Sequence, residues 1–188
     1  MEFIGDKNIK VEKVITDLDK FMIKFIGILE KYTEYVIVSG YVCILLGRSR
    51  GTEDIDIIIP KMEKTLFSKL YKHLQASGFW CLNSSKLNDI VELLDDKHGV
   101  RFEVKPQVIP NIELKFSKDE YDDLTLKNHI NVLFGDMQLK TSFLELQIAY
   151  KECVLKSNKD LEDARHLRLI AKGHLDNNLI NGYKKRLR

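Results

Sequence analysis

Two aspartates one residue apart, Asp54 and Asp56, sit at the head of the apolar run in GRSRGTEDIDIII, residues 47–59. In an extended strand residues i and i+2 share a face, about 6.6 Å apart by rise. The two carboxylates therefore point one way, and Ile55, Ile57 and Ile59 point to the core. Carboxylates that close repel unless one is protonated or a cation sits between them. A hard divalent ion, Mg2+ or Mn2+, is the natural cation, because it takes oxygen ligands and commonly joins one or two carboxylates to substrate phosphates. A pair of such ions about 3.5–4 Å apart can hold the attacking and leaving oxygens of a phosphoryl displacement. The competing reading is a solvated strand edge that binds nothing.

The elements around the pair decide between these readings. YVIVS (35–39) reads as a short buried strand ending at Ser39-Gly40, and YVCILLG (41–47) as a helix closed by Gly47. A turn from strand into helix presents backbone amides to phosphate, and Gly40 lets the backbone come close to a ligand. A simple tight turn would use the same two residues. Arg48, Arg50 and Thr52 follow just before the acids, where an arginine either neutralises phosphate or pairs with Glu53.

Elsewhere, apolar residues between 11 and 31 recur at helical spacing (Val14, Leu18, Phe21, Met22, Phe25, Ile26, Leu29), and residues 62–77 read as a helix stopped by Gly78. DIVELLDDKHGVRFEV alternates about Lys97-His98-Gly99 and reads as a hairpin, as does HINVLFGDMQLKT about Gly135-Asp136. Ser142 and Glu145 have the spacing of a capping box, opening a helix to about Lys156. A second helix runs from about Lys159 to Ala171, with Gly173 as its stop. Strands and helices mix without regular alternation, so the expected class is α+β with a mixed sheet. Residues 1–140 form the expected core, and 141–188 a helical segment packed on it.

A small-residue pair after a strand, thirteen further residues, then Asp54-Ile55-Asp56 together resemble the signature of the DNA polymerase beta-like nucleotidyltransferase superfamily. The local form, Arg50-x-Thr52-x-Asp54-Ile-Asp56 after VSGYVCILLG, is similar to its minimal prokaryotic branch, which includes the AbiEii-like toxins. The resemblance covers residues 36–59. It implies a mixed β-sheet flanked by helices, a divalent metal on Asp54 and Asp56, and a nucleoside triphosphate such as ATP cradled by Ser39, Gly40, Arg50 and Thr52. The superfamily has Gly-Gly or Gly-Ser at the turn, where this chain has Ser39 then Gly40. It also implies a third carboxylate on a neighbouring strand, as metal ligand or general base. In VRFEVKP (100–106) Glu103 is the candidate, with a solvated strand face as its alternative and Glu92 as a less favoured substitute. KSNKDLEDARHL (156–167) resembles the Lys-Asp-x-x-Asp element of the AbiEii-like branch, which assigns Lys159 and Asp163 to the triphosphate. Asp160 and Asp163 otherwise only favour the positive end of their helix.

Composition narrows the classes without choosing one. The chain has 188 residues, 44% hydrophobic and 31% charged, enough for a buried core. Its net charge of +2 argues for no acidic partner, although YKKRLR at the end can touch RNA phosphates or lie solvated. Three cysteines form no zinc framework or disulfide pattern, and the five histidines show no metal-ligand spacing. The first ten residues lack the layout of a signal peptide, and no stretch reaches the roughly 18 apolar residues of a membrane span. A cytoplasmic protein with no membrane partner is expected. The expected activity is metal-dependent transfer of a nucleoside monophosphate from a triphosphate to a hydroxyl on RNA, protein or a small molecule. The alternatives are an inactive binding module that keeps the fold, or a toxin–antitoxin component.

Overall fold

The computed structural model describes residues 1–105 and 109–187. Its first half contains β1 (Glu2–Ile4), β2 (Asn8–Val11), α1 (Asp17–Leu29), β3 (Val36–Val38), α2 (Gly40–Leu45), β4 (Asp54–Ile59), α3 (Lys64–Ala76), β5 (Phe79–Cys81) and α4 (Leu87–Asp95). The second half adds β6 (Val100–Val104), β7 (Asn111–Phe116), α5 (Glu120–Lys127), β8 (Ile130–Phe134), β9 (Met137–Thr141), α6 (Leu144–Tyr150), α7 (Asn158–Ile170) and α8 (Asn177–Arg186). Strands of both senses confirm the expected α+β class with mixed pairing. No helix among the described residues is long and apolar enough to cross a membrane.

The chain divides into two compact units. The central one comprises Val14–Ile37 and Thr52–Lys127. Its strands run in the order β3-β4-β7-β6-β5, with β4 and β7 parallel and β6 antiparallel to both β7 and β5. One face of this sheet is apolar because alternate residues must share it: Ile55, Ile57 and Ile59 of β4, Ile112 and Leu114 of β7, and Phe102 of β6 are all fully buried. Helix α1 lays Phe25 against Phe102 and, edge-on, against Phe79, while Phe67 of α3 meets Phe116. Burying each such aromatic ring contributes about 1.5–3 kcal/mol. Thr16 starts α1 with a capping box, its hydroxyl accepting from the Asp19 amide while the Asp19 carboxylate accepts from the Thr16 amide. The polar residues of the same strands have only the opposite face left to occupy.

The expected hairpin over DIVELLDDKHGVRFEV is half right. Residues 87–95 are instead the helix α4, since Ile90, Val91 and Leu94 fall on one helical face and are buried, and only β6 is a strand. Lys97, with φ 66°, ends the helix with the help of its amide bond to the Leu94 carbonyl. The other hairpin forms as expected: β8 and β9 pair Phe134 with Met137 about Gly135, whose φ is 58°.

The second unit comprises Met1–Lys13, Val38–Gly51 and Asn128–Arg188, with strand order β1-β2-β8-β9 and helices α2, α6, α7 and α8. The expected capping box at Ser142 does not form. Helix α6 starts at Leu144 with Phe143 as its cap residue, and the Ser142 hydroxyl donates instead to Gln147 Oε1 at 2.9 Å. The helix continues into a π-helical turn, Lys151–Leu155, closed by Lys156 in a left-handed conformation. That turn aims Glu152 at two helices: its carboxylate accepts from Arg168 Nε of α7 at 2.7 Å and is ion-paired with Lys184 of α8. Burial alone would raise the Glu152 carboxyl, but its hydrogen bonds with Arg168 and Lys184, and their charge, hold it below the usual value.

A carboxyl held low in the folded state adds stability above the unfolded pKa, and that stability is lost as pH falls through the folded value. Glu152→Gln is therefore expected to cost about 1 kcal/mol in urea unfolding at pH 7, and less near pH 3. A deficit equal at both pH values would show that the ion pairs contribute nothing.

Candidate functional site

The polar face of the central sheet gathers its acids through register. Parallel pairing sets Asp54 beside Asn111 and Asp56 beside Glu113. Each pair shares a face because registered neighbours point the same way. Asp54, Asp56 and Glu113, all half-buried, bring one carboxylate oxygen each within 4.8 Å of the others. Two local devices hold this set. The Thr52 hydroxyl donates to the Asp54 backbone carbonyl at 2.9 Å and lies 3.3 Å from its carboxylate Oδ1. Asn111 anchors the start of β4 through its amide and side chain, both donating to the Glu53 carbonyl.

Gly99 makes room for the third acid. A β-carbon there would lie 2.6 Å from Glu113 Oε1 and 2.8 Å from its Cγ. Between Asp56 and Glu113 stands Lys115, two residues along β7, with Nζ 2.9 Å from each carboxylate. Burial pushes the Asp56 carboxyl up, and Glu113 beside it adds to the rise against the pull of Lys115. Burial also opposes ionisation of Glu113, yet hydrogen bonds with Lys115 and Asp56 hold that carboxyl below its usual value. Burial lowers Lys115, but the two carboxylates outweigh it and keep the ammonium above its usual range. Three oxygen donors in one small patch suit a hard divalent ion, and among the described residues no soft ligand joins them.

Glu103, the expected third carboxylate, is not in this group. Arg101 is the β6 residue registered against Glu113, and Glu103 lies two positions further along. It is fully buried, and neither of its carboxylate oxygens has a partner. Burial pushes its carboxyl up, with Lys105 opposing. Glu92 lies in helix α4 rather than on a strand.

The remaining expected residues belong to the other unit, apart from Thr52. Ser39 adopts φ 64° and ψ −134°, a conformation that favours glycine and costs a serine on the order of 1–3 kcal/mol. Its carbonyl is pinned by Gln147 Nε2 at 2.6 Å. Gly40 leaves space for Arg50, since a β-carbon there would lie 2.8 Å from the guanidinium Nη2. Arg50 and Arg48 both pair with Asp163, which is fully buried on α7. Lys151 joins the group, itself 1% exposed, with Nζ 2.7 Å from Asp163 and 3.1 Å from Asp160. Asp163 thus holds cations together, while Lys159 is exposed and contributes only its carbonyl, to Arg48. Cys43 lies beside this cluster. Burial and the Asp163 charge push its thiol up to about 12, so it packs as a hydrophobe and is no nucleophile at neutral pH.

Three residues escaped the sequence reading: Glu113, Lys115 and Lys151. The first two carried a signal. NIELKF alternates strictly, with Ile112, Leu114 and Phe116 buried and Asn111, Glu113 and Lys115 on the other side. Lys151 carried none, because only its partners on α7 make a buried lysine tenable.

No protein-family model matches the sequence, and no curated protein matches it. Solved structures do match in fold. The antigenic nucleotidyltransferase-like protein from Paracoccidioides brasiliensis aligns at TM-score 0.55 and 15% identity, over 89% of this chain and 85% of that one. The antibiotic-resistance factor ANT(2'')-Ia aligns in its solution structure at TM-score 0.53 and 15% identity, over 90% of each chain. The same factor in complex with adenylyl-2''-tobramycin gives TM-score 0.53 and 12% identity, over 92% of this chain and 100% of that one. The chain has the nucleotidyltransferase fold.

Gly99→Ala tests the acid cluster without touching an acid. The introduced methyl group displaces the flexible Glu113 side chain, so Mn2+ affinity is expected to fall about tenfold. Folding stability should fall by about 1–3 kcal/mol, because Glu113 Cγ must move as well as its carboxylate. Unchanged affinity, measured by isothermal titration, would show that the Glu113 charge does not act on the cation.

Proposed function

We propose that this protein is a metal-dependent nucleotidyltransferase that moves a nucleoside monophosphate from a nucleoside triphosphate to an acceptor hydroxyl. The observation that carries the reading is the three-carboxylate cluster of Asp54, Asp56 and Glu113 on the polar face of a nucleotidyltransferase-fold sheet. Asp54 and Asp56 would hold the Mg2+ or Mn2+, oriented by Thr52 and by the register with β7. When bound there, the ion would polarise the phosphate oxygens and neutralise charge that builds up during transfer.

The chain's own groups supply the rest. The acceptor oxygen bonds to the α-phosphorus as the bond to the bridging oxygen breaks, and pyrophosphate leaves with the electron pair. Glu113, held ionised by Lys115, is positioned to accept the hydroxyl proton. Glu113 takes the role that the sequence reading assigned to Glu103. Little covalent chemistry is asked of the protein, so positioning and electrostatics dominate. Ser39, Gly40 and Arg50 are assigned to the triphosphate, supported by the strained Ser39 backbone and by the guanidinium that Gly40 admits. Lys159, the exposed cation on α7, is a supporting charge for the same phosphates. The AbiEii-like resemblance rests on residues 36–59 and on the Lys159-Asp160-x-x-Asp163 element.

The bound adenylyl-2''-tobramycin of one structural neighbour supports a small-molecule hydroxyl as one acceptor class, beside RNA and protein. Incubation with α-labelled triphosphates, Mg2+ and separate pools of RNA, protein and small hydroxylated molecules tests the reading. Label should enter one pool, and Asp56→Ala should reduce transfer at least about 10²-fold. Nucleotide binding without transfer to any pool would instead identify a binding module.

A further inference from the structure

Lys115 occupies a place in the acid cluster that a purely structural lysine has little reason to take. It lies on the polar face of β7, in the row that also carries Glu113, and pairs with two of the three carboxylates at the same 2.9 Å. Its side chain is 31% exposed, against 14% for Asp56 and 18% for Glu113. Three carboxylates set against one ammonium leave two negative charges, which a single divalent ion matches. Arg101 adds little to this balance, since it lies 3.9 Å from Glu113 and is half-exposed, where water screens it. Two divalent ions would leave the same patch with an excess of two positive charges before any nucleotide arrived.

Geometry gives the same answer as charge. Two ions in such a site stand about 3.5–4 Å apart, which requires one of them to sit between Asp56 and Glu113. The Lys115 ammonium already fills that position. Asp54 is the acid it leaves unpaired: among the described residues no cation forms an ion pair with it, and its carboxylate is met by the Thr52 hydroxyl. The ion is therefore directed to Asp54 and to Asp56 Oδ2, the oxygen that Lys115 does not pair with.

We infer that Lys115 is a built-in substitute for a second metal ion, so that the free protein takes one divalent cation, at Asp54 and Asp56. The inference deepens the proposed function and rests on it for the metal site. A fixed ammonium neutralises charge without having to be captured from solution, and it offsets the repulsion between Asp56 and Glu113 when no ion is bound. Arginine in its place would keep the charge, whereas methionine would keep the volume and lose the charge.

The test counts ions rather than turnover. Mn2+ is titrated into the full chain and followed by electron paramagnetic resonance of the free ion, alongside isothermal titration. Wild type is expected to bind one Mn2+ at the cluster, and Lys115→Arg one as well. Lys115→Met is expected either to take a second ion or to bind the first at least about tenfold tighter, as loss of a charge about 4 Å away requires. Asp54→Asn should abolish the single wild-type site. Two ions in the wild type, or an unchanged count and affinity in Lys115→Met, would overturn the inference and leave the metal reading intact. Binding that survives Asp54→Asn unaltered, or no binding in any variant, would overturn the metal reading itself and this inference with it.

Discussion

Repulsion among like charges on one sheet face is the constraint around which the central unit is arranged. Asp54, Asp56 and Glu113 stand within 4.8 Å of one another through their oxygens. The arrangement is sustained by groups placed to meet it: Lys115 between two of the acids, Thr52 on the third, and Gly99 with no side chain where Glu113 must lie. Without a cation the cluster would relieve itself by proton uptake, and burial already pushes the Asp56 carboxyl up. The buried face explains why the acids cannot simply turn away. Ile55, Ile57, Ile112 and Leu114 are fixed in the core, and the two-residue period of a strand fixes the acids opposite them.

The same logic of opposed charges governs the second unit, with a different outcome. There a single buried carboxylate, Asp163, gathers Arg48, Arg50 and Lys151. Removing one partner from such a buried group is costly, on the order of 3–5 kcal/mol, because the remaining charges lose their compensation. The π-helical turn is what delivers Lys151 to this point, and it also carries Glu152 to α7 and α8. Charge here fixes backbone: the loop that holds Arg48 and Arg50 is tied to α7, and the Ser39 turn is held open beside Arg50 by a glycine.

Much of this was legible from the residues because it follows local period. The Asp54–Asp56 pair, β4, α1, α3, the β8–β9 hairpin and α7 all declare themselves by spacing, and the turn glycines Gly78, Gly135 and Gly173 all take positive φ. Helix α4 was misread because nine residues give too few repeats to separate a helical from an alternating period. Glu103 was chosen on alternation along its own strand, which carries no information on register. The antiparallel pairing of β6 with β7 brings Arg101, not Glu103, level with Glu113, and register is set by tertiary pairing rather than by either strand. Glu113 lies on a strand that alternates as cleanly as β4 does, and its place beside Asp56 follows only once β4 and β7 are known to run parallel. Lys151 could not have been found at all, since nothing in its neighbours along the chain announces a buried ammonium.

The account stands or falls on whether those three acids are a cation site. Crystals soaked in Mn2+ and measured near the manganese absorption edge would answer directly through the anomalous difference map. A peak bonded to oxygens of both Asp54 and Asp56 at about 2.0–2.2 Å is the predicted result. A map that shows no peak there at saturating Mn2+, with Lys115 still closing the cluster, would contradict it.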